Sequence, residues 1–425
     1  MRSARPGSGA TGGTPSARCR PASTLRRSSN GQHQRSDSPA RRTTLRLVST
    51  ISRSAATPTA TLLWAACRRP GPDVEACQQA YEQGADLAWA ADLAICHRVS
   101  RLLWQVVEPW AEDAVWTREL RADVQRCAAQ ANLVLPRIGD ELLAPLSAAG
   151  LQPLVWKGAS LAARYPAAGD RPMDDIDLLF PDGQRSAAIR LLEQHGWRIV
   201  EQDREHYDVA MTHPALPGLP VELHEALDLP SQRAFRFTAA DLWRARTPIT
   251  VFGQPAFGLP AETELVALVT HAAKPFHTFD RLIWSVDFAV VIRDAECAGQ
   301  PVDWDRIEAL STDAQARTAM AVALTHAARL GGVSPVHLRE ISGSRARQSA
   351  LAPVLAAEWP LQLWDEGTRH RLSYALIDDR RLMVRRASAE ALGRGPRQAP
   401  AASAGMVWKA ARRWLMSSRV ARRCD

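Results

Sequence analysis

Two acidic residues separated by one apolar residue, in the run Asp175-Ile176-Asp177-Leu178-Leu179-Phe180, constrain this chain more than any other feature. In a β-strand, residues i and i+2 project from the same face. Asp175 and Asp177 therefore point together, while Ile176 turns to the other side and into a core. Adjacent carboxylates repel, and both ionise cheaply only with a cation between them. Downstream, Val221-Glu222-Leu223-His224 repeats the alternation and adds a third acid, with an imidazole on the same face. Three carboxylates on one sheet face suit a hard divalent cation. Mg2+ comes first, with Mn2+ able to replace it, and two ions can be held across a phosphoryl group. The D-x-D pair alone reads equally well as a solvated strand edge, so its surroundings decide.

Upstream, Leu154-Val155-Trp156 reads as a strand running into Lys157-Gly158-Ala159-Ser160 and a short helix to about Tyr165. Glycine at such a junction lets backbone approach a phosphate, and a helix N-terminus favours negative charge. Lys157 can add a point charge and Ser160 a hydroxyl donor. A helix over Ser186–His195, stopped by Gly196, is followed by strands at Trp197–Val200, His206–Thr212 and Leu219–Leu223. Glycine turn, helix, paired acids and third acid make up, in order, a small phosphoryl-transfer unit.

Helical periodicity surrounds this unit. Leu87, Trp89, Ala90, Leu93 and Ala94, then Val99, Leu102, Leu103, Val106 and Val107, recur at helical spacing. Further helices are expected over 114–135 and 138–148, the latter ending at Gly150. After the unit come Glu262–Ala273, Arg281–Arg293, Trp304–Leu310 and Asp313–Leu330, with a weaker helical region to about Arg386. The expected fold is α+β: a small mixed-sheet domain over 151–258, between a helical segment over 71–150 and a helical domain over 259–386. Residues 1–70 read as a disordered basic arm, or an over-extended start, and 387–425 as a basic tail with an amphipathic stretch at Val407–Met416.

Charge separates these parts. Residues 1–70 hold 13 Arg against one acid, and 380–425 hold 12 basic residues against two acids. The intervening body has 28 basic and 42 acidic residues, which disfavours a nucleic-acid-binding body. No apolar run reaches the ~20 residues of a membrane helix. The basic residues are 50 Arg and three Lys (Lys157, Lys274 and Lys409), a bias that reads as coding from a GC-rich bacterial genome. Seven scattered cysteines without a C-x-x-C pair argue against structural zinc and fit a reducing, cytoplasmic setting.

The run L-V-W-K-G-A-S-L-A-A-R-Y-P, then D-R-P-M-D-D-I-D-L-L-F, G-W and V-E-L-H, resembles bacterial nucleotidyltransferase-like proteins of the DNA polymerase beta superfamily. It is most similar to an uncharacterised branch with K-G-x-x-L, R-x-x-x-D-I-D-L-L and E-x-H motifs. His271-Ala272-Ala273-Lys274 and Arg281-Leu282-Ile283-Trp284-Ser285-Val286-Asp287 extend the likeness, which covers roughly residues 75–380. The resemblance implies that Asp175 and Asp177 are the metal-binding pair, Glu222 the third acid, and Gly158 the start of a phosphate-binding turn. Two departures stand out: Ala159 follows Gly158 where the superfamily has serine, and Glu225 follows His224 where the branch often has an aromatic residue.

Arg171, just before the acid strand, is expected to clamp the phosphates of a nucleotide. His224 is expected to orient substrate or a ligand, or to be a satisfied structural histidine. His271 and Lys274, one helical turn apart, are placed toward nucleotide phosphate or base. A zinc site from His271, His277 and Asp287 lacks the H-x-x-x-H spacing. Asp287, amid Trp284, Phe288 and Val291, is expected to accept buried hydrogen bonds. The implied function is transfer of a nucleotidyl group from an NTP to an unidentified acceptor with release of pyrophosphate. A small molecule, peptide or protein acceptor is favoured over nucleic acid. The alternative is a non-catalytic nucleotide-binding or scaffold protein that retains the fold.

Overall fold

The computed structural model describes residues 53–111, 115–167, 169–201, 208–228, 233–275, 277–333, 344–362 and 364–391. The basic arm before residue 53, the start of the expected strand at His206, and the tail beyond 391 with its Val407–Met416 stretch lie outside these residues.

Strands β1 (Leu154–Trp156), β2 (Ile176–Leu179), β3 (Arg198–Glu201), β4 (Asp208–Thr212), β5 (Val221–His224), β6 (Thr247–Val251) and β7 (Gln254–Gly258) form one sheet. Their order is β3-β4-β5-β2-β1-β7-β6. The pairs β2–β5 and β1–β7 are parallel and the others antiparallel, so the sheet is mixed. With helices before and after it in sequence, the architecture is α+β.

Alternation along the strands divides the sheet into two faces. Val155, Ile176, Leu178, Val221 and Leu223 pack with Ile138, Leu142, Leu146, Ala188 and Leu192, from the helical run before β1 and from the Arg185–Gln194 helix. Leu154, Trp156 and Leu179 pack on the opposite side with Leu265, Val269 and Phe288, from the Ala261–Ala272 and Leu282–Cys297 helices. Gly139 touches the β6–β7 turn so closely that an added Cβ would meet the Phe252 carbonyl oxygen at 2.1 Å, which explains why that position has no side chain. Gly150 and Gly196 both adopt positive φ just after their helices, as the sequence signals require.

Two features go beyond the sequence reading. First, residues 53–66 of the presumed arm form a helix whose Leu62 and Leu63 are fully buried. Trp64 packs against Trp359 with ring centroids 5.5 Å apart and planes inclined at 37°, and its indole N–H donates to the Ala357 carbonyl at 2.8 Å. Second, the helical segments on either side of the sheet in sequence share one core. His97 Nε2 lies 2.7 Å from the Pro360 carbonyl, and the Leu282 N–H donates to His97 Nδ1 at 3.2 Å. Aspartates at helix N-termini fix several of these helices in register: Asp73, Asp86 and Asp303 each accept a backbone N–H from the first turn.

Candidate functional site

The β2–β5 pairing places Asp177 directly opposite Glu222, and Leu179 opposite His224. Asp177, Glu222 and His224 thus share the sheet face that looks toward the Ala261–Ala272 helix. One potential ligand atom from each lies within 4.8 Å of the others, a spacing that could hold a metal ion. Asp175 sits just before β2 rather than in it, and is partly buried.

Lys157 closes the cluster. Its Nζ is 2.5 Å from Asp177 Oδ1 and 4.5 Å from the centre of the Trp156 ring. His224 Nε2 is 3.0 Å from the same Asp177 oxygen and 3.4 Å from Glu222 Oε2. Burial alone would raise the Asp177 carboxyl, but Lys157 and His224 outweigh it and hold it well below the usual carboxylate range. The carboxylate is thus ionised and accepts from the His224 Nε2–H. Burial would lower the His224 imidazole, and hydrogen bonds to Asp177 and Glu222 raise it instead. Lys157 is likewise raised: Asp177, Asp175 and Glu222 overcome the cost of burying its charge.

Asp175 behaves oppositely. Burial, then the negative charge of Asp177, pushes its carboxyl from 3.8 up to about 7. Folding therefore takes up a proton between those two values, and the contribution of this group to stability falls as pH rises through that window. Asp175→Asn is expected to abolish that slope, worth at most about 4 kcal/mol. Urea titrations at about pH 5 and about pH 8 measure it. A divalent cation should restore stability selectively at the higher pH.

Other expected site residues are held elsewhere. Arg171 Nε and Nη2 donate to the two oxygens of buried Asp287 at 2.7 and 2.9 Å, and Nη1 donates to the Pro172 carbonyl. Tyr165 donates to Asp287 Oδ1 at 2.6 Å, so Asp287 accepts the buried hydrogen bonds expected of it. Arg171 thereby ties the acid loop to the Leu282–Cys297 helix. Ser160 Oγ is shared between the Lys157 carbonyl at 3.0 Å and Glu264 Oε1 at 2.9 Å. Gly158 is buried, and the space a Cβ would take is bounded by Met173 at 3.0 Å. Its helix, Gly158–Leu161, is a single turn. The protein's own side chains thus occupy the surroundings in which a phosphate cradle was expected.

Lys274 Nζ is 2.9 Å from Asp228 Oδ1 and 2.5 Å from the Leu227 carbonyl. His271 packs edge-on against Trp156, with ring centroids 6.1 Å apart, and burial holds it well below its ordinary value and hence neutral. Both line a small recess beside the acid cluster, together with Trp156, Asp228, Phe235 and Phe237. Asp228 and Glu264 were not singled out from sequence. Glu264, buried and paired with Arg164 at 2.7 Å, is flanked by Thr263 and Leu265 and carries only the weak signal of an acid within an apolar helix.

The donor set fits a divalent cation. Ligand atoms of Asp177, Glu222 and His224 lie within 4.8 Å of one another beside the Lys157 ammonium, and Asp175 stands just upstream with its carboxyl raised by burial and then by the charge of Asp177. Oxygen ligands of this kind suit hard ions. Among the described residues no helix is long and apolar enough to cross a membrane.

No curated protein and no solved structure matches the chain. One family model, described as an uncharacterised nucleotidyltransferase, matches residues 83–332. That span contains the whole sheet, Lys157, the three acids and the Arg171–Asp287 tie, and it exceeds half of the 425 residues. By that match the chain belongs to this uncharacterised nucleotidyltransferase family.

Proposed function

We propose that the protein is a divalent-metal-dependent nucleotidyltransferase, moving a nucleotidyl group from an NTP to an acceptor and releasing pyrophosphate. The observation that carries this reading is the opposed placement of Asp177 and Glu222 on adjacent parallel strands, with Asp175 just upstream. Two Mg2+ ions, or Mn2+ in their place, would supply charge neutralisation along the triphosphate and lower the pKa of an acceptor hydroxyl. Asp175, Asp177 and Glu222 are the carboxylates to hold them. His224 orients Asp177 by donating to it, the usual role of a hydrogen bond behind a ligand. Lys157 brings a point charge to the phosphates where charge develops. The recess lined by His271 and Lys274 shares Trp156 with the acid cluster and offers room for part of a substrate. The acidic body favours a small-molecule, peptide or protein acceptor over a long polyanion. A reducing, cytoplasmic setting suits seven scattered cysteines with no C-x-x-C pair.

The test is full-length protein with Mg2+ and labelled NTPs. Metal-dependent binding below about 1 mM and pyrophosphate release are expected, with Glu222→Gln lowering transfer about 100-fold or more. Lack of any nucleotide binding at that concentration would overturn the reading. A second reading, a non-catalytic nucleotide binder, draws on one observation: Asp177 already has Lys157 and His224 as partners, while Arg171 and Ser160 are committed elsewhere. It predicts binding without pyrophosphate release.

A further inference from the structure

Lys157 stands where a side chain is poorly tolerated. Its backbone has φ 56° and ψ −133°, a region normally left to glycine, although Gly158 is its neighbour. The position directly follows Trp156, which pairs with Asp177 across β1 and β2. The strained residue therefore delivers an ammonium onto Asp177 Oδ1 at 2.5 Å. Fifty of the basic residues in this chain are Arg, yet this position carries one of three Lys. Arginine would lock a carboxylate with two parallel hydrogen bonds. Lysine offers a compact charge on a flexible stem, better suited to letting go. The side chain retains 14% exposure, and the Trp156 face offers its charge a second resting place.

We propose that Lys157 is a displaceable internal cation: it occupies the acid cluster in the free protein and moves onto the nucleotide phosphates when a divalent ion enters. The proposal rests on the metal-dependent reading above. A divalent ion takes carboxylate oxygens at about 2.0–2.6 Å. An ammonium 2.5 Å from one of those oxygens would lie a few ångströms from the ion, and the two positive charges repel. Entry of the ion therefore expels Lys157, whose charge then needs another anion, and the triphosphate supplies one. Metal alone binds weakly, and metal and nucleotide bind as a cooperative unit.

Mn2+ binding to full-length protein, read by electron paramagnetic resonance with and without a non-hydrolysable NTP analogue, tests this without an activity measurement. Wild-type affinity for Mn2+ is expected to rise about tenfold or more with the analogue. Lys157→Met should bind Mn2+ alone about tenfold more tightly than wild type and lose most of that coupling, whereas Lys157→Arg should stay weak. Mn2+ binding that is unchanged by the analogue, or by Lys157→Met, overturns the proposal and leaves the metal-dependent reading standing. No Mn2+ binding by any of these proteins, with or without analogue, overturns both. Should Lys157→Met fail to fold, Lys157→Gln replaces it in the same comparison, with the same two outcomes.

Discussion

Asp177→Asn is expected to abolish metal-dependent nucleotide binding and to lower nucleotidyl transfer about a thousandfold or more. Asparagine keeps the shape of the side chain but removes the charge on which the cluster is organised. Asp177 is 1% exposed, so neither water nor salt can replace that charge. Lys157 and His224 would both face a neutral amide, and losing one partner of a buried pair costs about 3–5 kcal/mol. Asp175 and Glu222 remain near Lys157 and offset part of this, placing the expected stability loss near 3 kcal/mol. Equilibrium dialysis with labelled NTP, beside a urea melt of the same sample, separates loss of function from loss of fold. A folded Asp177→Asn protein that still binds Mg2+–NTP like wild type would remove this residue from the metal assignment.

Asp287→Ala is expected to cost about 3–5 kcal/mol of folding stability. The substitution strips two hydrogen bonds from Arg171 and the acceptor from Tyr165, leaving a guanidinium with a 10%-exposed side chain facing an apolar void. Arg171→Met in the Asp287→Ala background should recover part of the loss, because an absent buried pair is less harmful than a broken one. A four-protein cycle in urea measures that coupling. The same lesion should weaken nucleotide binding through position, since Arg171 anchors the segment leading to Asp175 and Asp177 while lying outside the acid cluster. Additive losses in the cycle would show that the two residues act separately.

The placement of Asp177 with Glu222 and His224 was legible in sequence because strand alternation is a local rule, and V-E-L-H states which of its residues share a face, whereas Asp175 falls just before β2. What was not legible is who neutralises whom. Lys157 and Asp177 are 20 positions apart and Arg171 and Asp287 are 116, and no periodicity links them. Arg171 was therefore read as a clamp for phosphates, with no sign of its pairing with Asp287. The β6–β7 hairpin escaped for a different reason. Pro248 and Pro255 argue against a strand, yet here they sit in the outermost pair of the sheet. Its one clear signal was Phe252-Gly253, which turns with both residues at positive φ, as a two-residue hairpin requires. The Arg53–Ala66 helix was obscured by its Ser, Thr and Pro content, including Pro58 within the helix, although Leu62-Leu63-Trp64 was a visible apolar run.

The contact between Trp64 and the segment around Trp359 has a consequence for synthesis on the ribosome. The Trp64 indole bonds to a carbonyl 293 residues downstream. At roughly 5–20 residues per second, that partner emerges about 15–60 s after the first helix does. Throughout that interval the helices just downstream already pack on the Arg53–Ala66 helix, but the Trp64 ring lacks its Trp359 neighbour, so premature termination between the two should leave that indole uncovered.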